Sequence, residues 1–117
     1  MLYYRLEDKI LPSDVLVYQK DGKQFVGRVI GQPGDVINIP DEGGLMINGN
    51  LQIEDGIFYD TGPYDTEAVR YPITLKDDEY FIMADMRSGA KDSRLFGAVN
   101  TKEIKGKVIT ILRRSSL

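Results

Sequence analysis

The sequence predicts a small, mainly β domain: an antiparallel sheet or barrel with one long irregular excursion and little helix. Three observations make that prediction. Twelve glycines and five prolines punctuate the 117 residues, so apolar runs stay short and return every eight to twelve residues or so. Within those runs, apolar residues either alternate with polar ones or stand together over four or five positions, as strands require. An Asn-Gly pair, Asn48-Gly49, lies between two apolar stretches, the strongest short-range signal for a hairpin.

Taken in order, Leu2-Tyr3-Tyr4-Arg5-Leu6 reads as an amphipathic strand. Val15-Leu16-Val17-Tyr18 is a continuous apolar run, Lys20-Asp21-Gly22-Lys23 is a turn, and Gln24–Ile30 returns. These two strands are expected to pair as an antiparallel hairpin. Gln32-Pro33-Gly34-Asp35 is a tight turn, with proline fixing φ and glycine free to take positive φ. Asp35–Ile39 alternates like a half-buried strand, and Leu45–Leu51 carries the Asn-Gly hairpin.

Glu54–Tyr71 is acidic and irregular, with Tyr59, Tyr64 and Tyr71 among its carboxylates. It reads as a surface excursion, either an ordinary exposed loop or an interaction segment in which tyrosines supply contact area. Glu79–Met83 and Lys107–Leu112 are further strands. The sole helical signal is a short turn at Thr101–Lys105, capped by Asn100 or Thr101. No internal repeat or linker divides the chain, which fits one domain over residues 1–117.

Composition narrows the chemistry. The formal charge is −3, which offers no basic footprint for nucleic acid or an anionic membrane. There is no histidine and no cysteine, so Ser-His-Asp triads, thiol nucleophiles, disulfides and ordinary zinc sites are excluded together. No cofactor is expected. No run approaches the roughly 20 apolar residues of a membrane span. Serine–lysine chemistry or paired carboxylates such as Asp85 and Asp92 remain as hydrolytic schemes.

Three motifs in a fixed order then resemble the type I signal peptidase family. Ser13-Asp14-Val15-Leu16-Val17-Tyr18 is similar to its G-D-I-V-V-F strand. Phe25-Val26-Gly27-Arg28-Val29-Ile30-Gly31-Gln32-Pro33-Gly34-Asp35 is similar to Y-V-K-R-x-x-G-x-P-G-D. The segment from Ala84 to Gly97 is similar to G-D-N-R-x-x-S-x-D-S-R-x-x-G, agreeing at Arg87, Asp92, Ser93, Arg94 and Gly97. Ile104-Lys105-Gly106-Lys107-Val108 resembles the closing I-x-G-K-A/V strand, so the resemblance spans about Leu2 to Leu112.

The resemblance implies a lysine general base, its amine neutralised by burial so that it can deprotonate a serine. Here that position is Gly27. The serine that orients the lysine falls at Ala90, while Met86 and Ala84 replace the asparagine and glycine of the same block. Both partners of one interaction are missing, and the chain is expected to be inactive as a peptidase. The family's nucleophile lies in an S-M-x-P-T-type motif upstream of a strand like Leu2–Leu6, which places it, with the membrane anchor, ahead of Met1. Lys20, Lys23 and Lys91 are read as solvated surface charge rather than substitute bases.

For the residues that remain, the resemblance implies two roles. Asp92 and Arg94, and with them Asp85, Arg87 and Ser93, are expected to hold the fold through carboxylate–guanidinium pairing. Val15, Val17, Tyr18, Gln24, Val26 and Gly27 correspond to a cleft that holds an extended peptide by strand addition. The plainer reading of Val15, Val17 and Val26 is core packing. The lysine-to-glycine change matches the catalytically degenerate (SipA-type) pilus-assembly factors of Gram-positive bacteria. That match implies pilin subunits, a sortase or both as partners, and a membrane-tethered domain on the outer face. An active peptidase with an unusual base, and a regulator of a true signal peptidase, are the alternatives.

Overall fold

The structure is a computed structural model that describes residues 2–5, 10–41, 43–52, 62–63, 69–85, 87 and 90–111. Among the described residues ten strands form two antiparallel sheets. The larger takes β1 (Leu2–Arg5), β2 (Val15–Lys20), β3 (Lys23–Gly31), β8 (Glu79–Met83), β9 (Val99–Asn100) and β10 (Ile104–Ile111) in the order β1-β10-β2-β3-β8-β9. The smaller takes β4 (Val36–Asn38), β5 (Met46–Ile47), β6 (Asn50–Leu51) and β7 (Ile73–Thr74) in the order β6-β5-β4-β7. The expected mainly β, antiparallel architecture is therefore observed.

The turns follow the residues that demand them. Asp21 and Gly22 both adopt positive φ between β2 and β3, and Asn48 and Gly49 do so between β5 and β6. This is the primed geometry that matches the twist of paired strands. Asn48 also anchors its hairpin to β4: its Oδ1 accepts from the Val36 N–H at 2.8 Å and its Nδ2 donates to Asp35 Oδ1 at 3.1 Å.

Two apolar clusters fill the interior. Leu16, Tyr18, Val29, Ile82, Val99 and Ile104 make one, with Phe25 and Phe96 packed against it. Ile37, Ile39, Leu45, Leu75, Phe81 and Met83 make the other, where the two sheets meet. Gly31 sits at that contact because nothing larger fits. A Cβ there would stand 2.6 Å from Ile37 Cδ1 and 2.8 Å from Leu75 Cδ1, closer than packed carbons allow.

Several local expectations are corrected. β10 begins at Ile104, and the helical turn before it is a single 3₁₀ turn, Thr101–Glu103, capped by Asn100. A one-turn helix, α1 (Ser93–Phe96), stands where sequence periodicity gave no signal. Four residues are too few for a 3.6-residue period to show, but Asp92 at its N-cap was a readable start signal. Tyr71, assigned to the excursion, is instead half-buried against the second cluster, with its ring 6.4 Å from that of Phe81. Most of Glu54–Tyr71, including Tyr59 and Tyr64, lies outside the described residues, as does Met86.

Candidate functional site

The β2–β3 ladder fixes which candidate residues face one another. Leu16 stands opposite Gly27, Val17 opposite Val26, and Val15 opposite Arg28. Directly opposed residues share a face of the sheet, and alternation along a strand assigns the rest. Val15, Val17, Gln24, Val26 and Arg28 therefore share one face. Tyr18 and Gly27 lie on the other, against the first apolar cluster. The candidate cleft residues are split between the two sides of the sheet, and even on the shared face Val17 is fully buried whereas Val26 remains 45% exposed.

Gly27 is buried, and its surroundings are closed. A Cβ added there would lie 2.6 Å from Ile82 Cγ2 and 3.3 Å from the Met83 carbonyl oxygen. Ile82 is itself completely buried on the neighbouring strand. Its methyl group thus occupies the space that the first carbon of any side chain at position 27 needs. Ala90 is half-buried and carries a methyl side chain. Tyr18, diagonal to Gly27 on the same face, is also fully buried, and its hydroxyl meets no hydrogen-bond partner among the described residues. Burial, and then the charge of Asp92, push that phenol well above its ordinary range.

The corner that follows β8 is built on different terms. Asp92 caps α1 and accepts four hydrogen bonds: from the Arg94 N–H at 3.0 Å, Arg94 Nε at 3.1 Å, Arg94 Nη2 at 3.0 Å and the Ala84 N–H at 3.0 Å. Asp92 and Arg94 are each 1% exposed. The Ser93 hydroxyl accepts from the Ile82 N–H at 2.9 Å, and Arg87 donates its Nε to the Ala84 carbonyl. Through these contacts the end of β8 is tied to α1 by buried polar groups that each meet a hydrogen-bond partner.

Asp85 pairs with Arg28. Arg28 donates Nε to Asp85 Oδ1 at 3.0 Å and Nη2 to Oδ2 at 2.9 Å, while its Nη1 reaches the Ser13 carbonyl at 3.1 Å. Those hydrogen bonds, with the charges of Arg28 and Arg87, hold the Asp85 carboxyl below the usual aspartate range against a desolvation that acts the other way. Arg28 was not singled out from the sequence. The signal was there, since Arg28 and Asp85 are opposite charges inside two blocks that occur together.

The three lysines considered as bases divide. Lys23 and Lys91 are exposed. Lys20 is not the solvated charge expected: its side chain is 16% exposed, its Nζ lies 2.9 Å from Glu103 Oε1, and it donates to the Ala98 carbonyl at 3.2 Å. It fastens the β2–β3 hairpin to the segment entering β9. Asp85 and Asp92 do not form a carboxylate pair free for hydrolysis, because each is already engaged by a guanidinium. Among the described residues no cluster of three or more His, Cys, Asp or Glu side chains is placed to hold a metal ion.

An open strand edge lies next to Gly27. β8 pairs with β3 only over Arg28–Gly31, so Lys23–Val26 has a strand on one side alone among the described residues. Val29 exchanges both backbone bonds with the β2 side, donating to the Asp14 carbonyl at 2.8 Å and accepting from the Ser13 N–H at 3.0 Å. Antiparallel alternation then turns the N–H and C=O of Gln24 and Val26 the other way, into the open lane. Four backbone groups are presented there beside exposed side chains, the arrangement that accepts an added strand.

Comparison with known proteins matches residues 6–112 to the family described as signal peptidase, peptidase S26. The chain is 30% identical over 97 residues to a probable signal peptidase I-2 of Synechocystis, covering 82% of this chain and 41% of the relative. It is 30% identical over 106 residues to signal peptidase I S of Bacillus subtilis, covering 80% and 54% respectively. The chain thus spans about half the length of the curated relatives it matches. A crystal structure of a signal peptidase I from Enterococcus faecalis superposes with a TM-score of 0.69 at 27% identity, covering 88% of this chain and 98% of that one.

Proposed function

This chain belongs to the signal peptidase, peptidase S26 family, and we propose that it holds an extended segment of a partner protein without cleaving it. The observation that carries this reading is the open edge of β3 at Gln24 and Val26, adjoining a position 27 that bears no side chain and has no room for one. The edge supplies backbone hydrogen bonds for binding. Position 27 supplies no general base, and losing such a base lowers a rate by about 10²–10⁴-fold.

In this reading the glycine at position 27, resembling that of degenerate pilus-assembly factors, supports a surface pilin, a sortase or both as the partner, with the domain tethered at the outer face of the membrane. Among the described residues no helix is long and apolar enough to cross a membrane, so the tether in this reading comes from outside them. The runner-up, an active peptidase using a different base, is favoured by the names of the relatives, which are signal peptidases. A regulator of a true signal peptidase would use the same edge on another partner.

The test is a titration of the isotopically labelled chain with a pilin subunit whose signal-peptide junction is intact. Amide shifts centred on Lys23–Gly27, with the pilin recovered uncut by mass spectrometry, are the expected result. Cut pilin would decide for the peptidase. Intact pilin and no shifts along β3 would remove the binding role.

A further inference from the structure

The open lane of β3 is not chemically neutral. On its exposed face Val26 stands between Gln24 and Arg28, two residues to either side and on the same side of the sheet. Arg28 is 39% exposed. A guanidinium carries five N–H donors, and Arg28 commits three of them, two to Asp85 and one to the Ser13 carbonyl. Among the described residues the other two N–H groups meet no acceptor. The charge of Arg87 also acts on the Asp85 carboxyl, more weakly than Arg28 does.

A strand seated in the lane would place one residue opposite Gln24 and another, two positions along, opposite Val26. The first lies diagonally over the apolar Val26 surface. The second comes within diagonal reach of Arg28, a span that a long side chain covers. From this juxtaposition we infer that the lane selects an extended peptide in which an apolar residue and a carboxylate stand two positions apart, the carboxylate seated on the spare N–H groups of Arg28. The planar guanidinium suits a carboxylate over an amide or an ammonium. This inference rests on the reading that the β3 edge holds a peptide, and it names the peptide class.

The experiment uses the whole chain and end-blocked pentapeptides on a threonine background, Thr-Glu-Thr-Val-Thr and its reverse, each with Glu exchanged for Gln or Lys. Binding is read from amide shifts along Lys23–Arg28. For one orientation, the Glu peptide is expected to bind about threefold more tightly than the Gln peptide and still better than the Lys peptide, the scale of an exposed ion pair, with the difference shrinking in high salt. Asp85→Asn, which removes the competing carboxylate and leaves Arg28 charged, is expected to widen the preference for Glu. Equal binding of all three charge forms, or a preference for Lys, overturns the charge selection and leaves peptide holding intact. Failure of every peptide to shift β3 overturns both.

Discussion

The corner around Asp92 and the strand position at Gly27 belong to the same family signature, yet their surroundings impose opposite demands. Around Asp92 every polar group is buried and engaged: four donors converge on one carboxylate, and the guanidinium of Arg94 is as inaccessible as its partner. Around the Cβ position of Gly27 the neighbours are the Ile82 methyl group and the Met83 backbone carbonyl. A buried ion pair cannot lose one member without leaving a charge stranded in a poorly polarisable interior. A buried apolar position can lose a side chain whenever a neighbour fills the space. The difference teaches why one part of such a signature is held in place by folding alone while the side chain at another position is free to vary.

The sharpest way to break that comparison is at Asp92. Asp92→Ala strands Arg94 and leaves the Ala84 and Arg94 N–H groups without their acceptor, and the expected cost is about 3–5 kcal/mol. Small domains have about 5–15 kcal/mol to lose, so urea unfolding should show a large fall in midpoint or outright loss of the folded state. A cost no greater than that of a substitution at Gly27 would erase the distinction drawn here.

The second effect is at Gly27 itself. Gly27→Ala puts a carbon 2.6 Å from Ile82 Cγ2, and overpacking of this kind costs about 1–3 kcal/mol. Gly27→Lys adds the desolvation of an ammonium and is expected to be worse, with no peptidase activity gained. The measurement is a double-mutant cycle: in an Ile82→Ala background, Gly27→Ala should cost less than in the parent. Additive behaviour would mean that Ile82 is not what closes the position.

These two sites also mark what the sequence could and could not say. The strands, their hairpin turns and the order of the blocks were legible because alternation, Asn-Gly and Pro-Gly signals are local. The absence of a lysine at 27 and of a serine at 90 was legible from identity alone. What closes position 27 was not, because Ile82 comes from β8, more than fifty residues away, and only the ladder brings it there. The same holds for Arg28 and Asp85, which join blocks that sequence reading treated separately. The short α1 and two-residue β7 and β9 fall below the length at which periodicity carries information.

Tyr18 offers a smaller test on the Gly27 side. Its hydroxyl is buried without a partner among the described residues, whereas a phenylalanine would fill the same space without a polar group. Tyr18→Phe is expected to stabilise the chain by about 1 kcal/mol, the low end of the cost of an unmet buried donor. The check is the urea midpoint at unchanged slope. A loss of stability would show that the hydroxyl contributes a favourable interaction, and that this face is less purely apolar than its neighbours suggest.

The smallest effect is at the exposed edge of the comparison, the Arg28–Asp85 pair, whose side chains are 39% and 43% exposed. Solvent screening limits such a pair to under about 1 kcal/mol, far below the buried Asp92–Arg94 pair despite similar bond lengths. Its pH dependence has a definite sign. The hydrogen bonds from Arg28 lower the Asp85 pKa in the folded state, so the folded chain holds on to the ionised form longer than the unfolded chain does. The stability from this pair is therefore fully present above the unfolded aspartate value, roughly pH 4, and is lost as pH falls through the depressed folded value. Asp85→Asn should flatten this acid limb, leave stability near neutrality within about 1 kcal/mol of the parent, and do so less visibly in high salt. An Asp85→Asn chain as damaged as Asp92→Ala would place Asp85 with the buried corner, and would remove the grounds for treating Arg28 as available to a ligand.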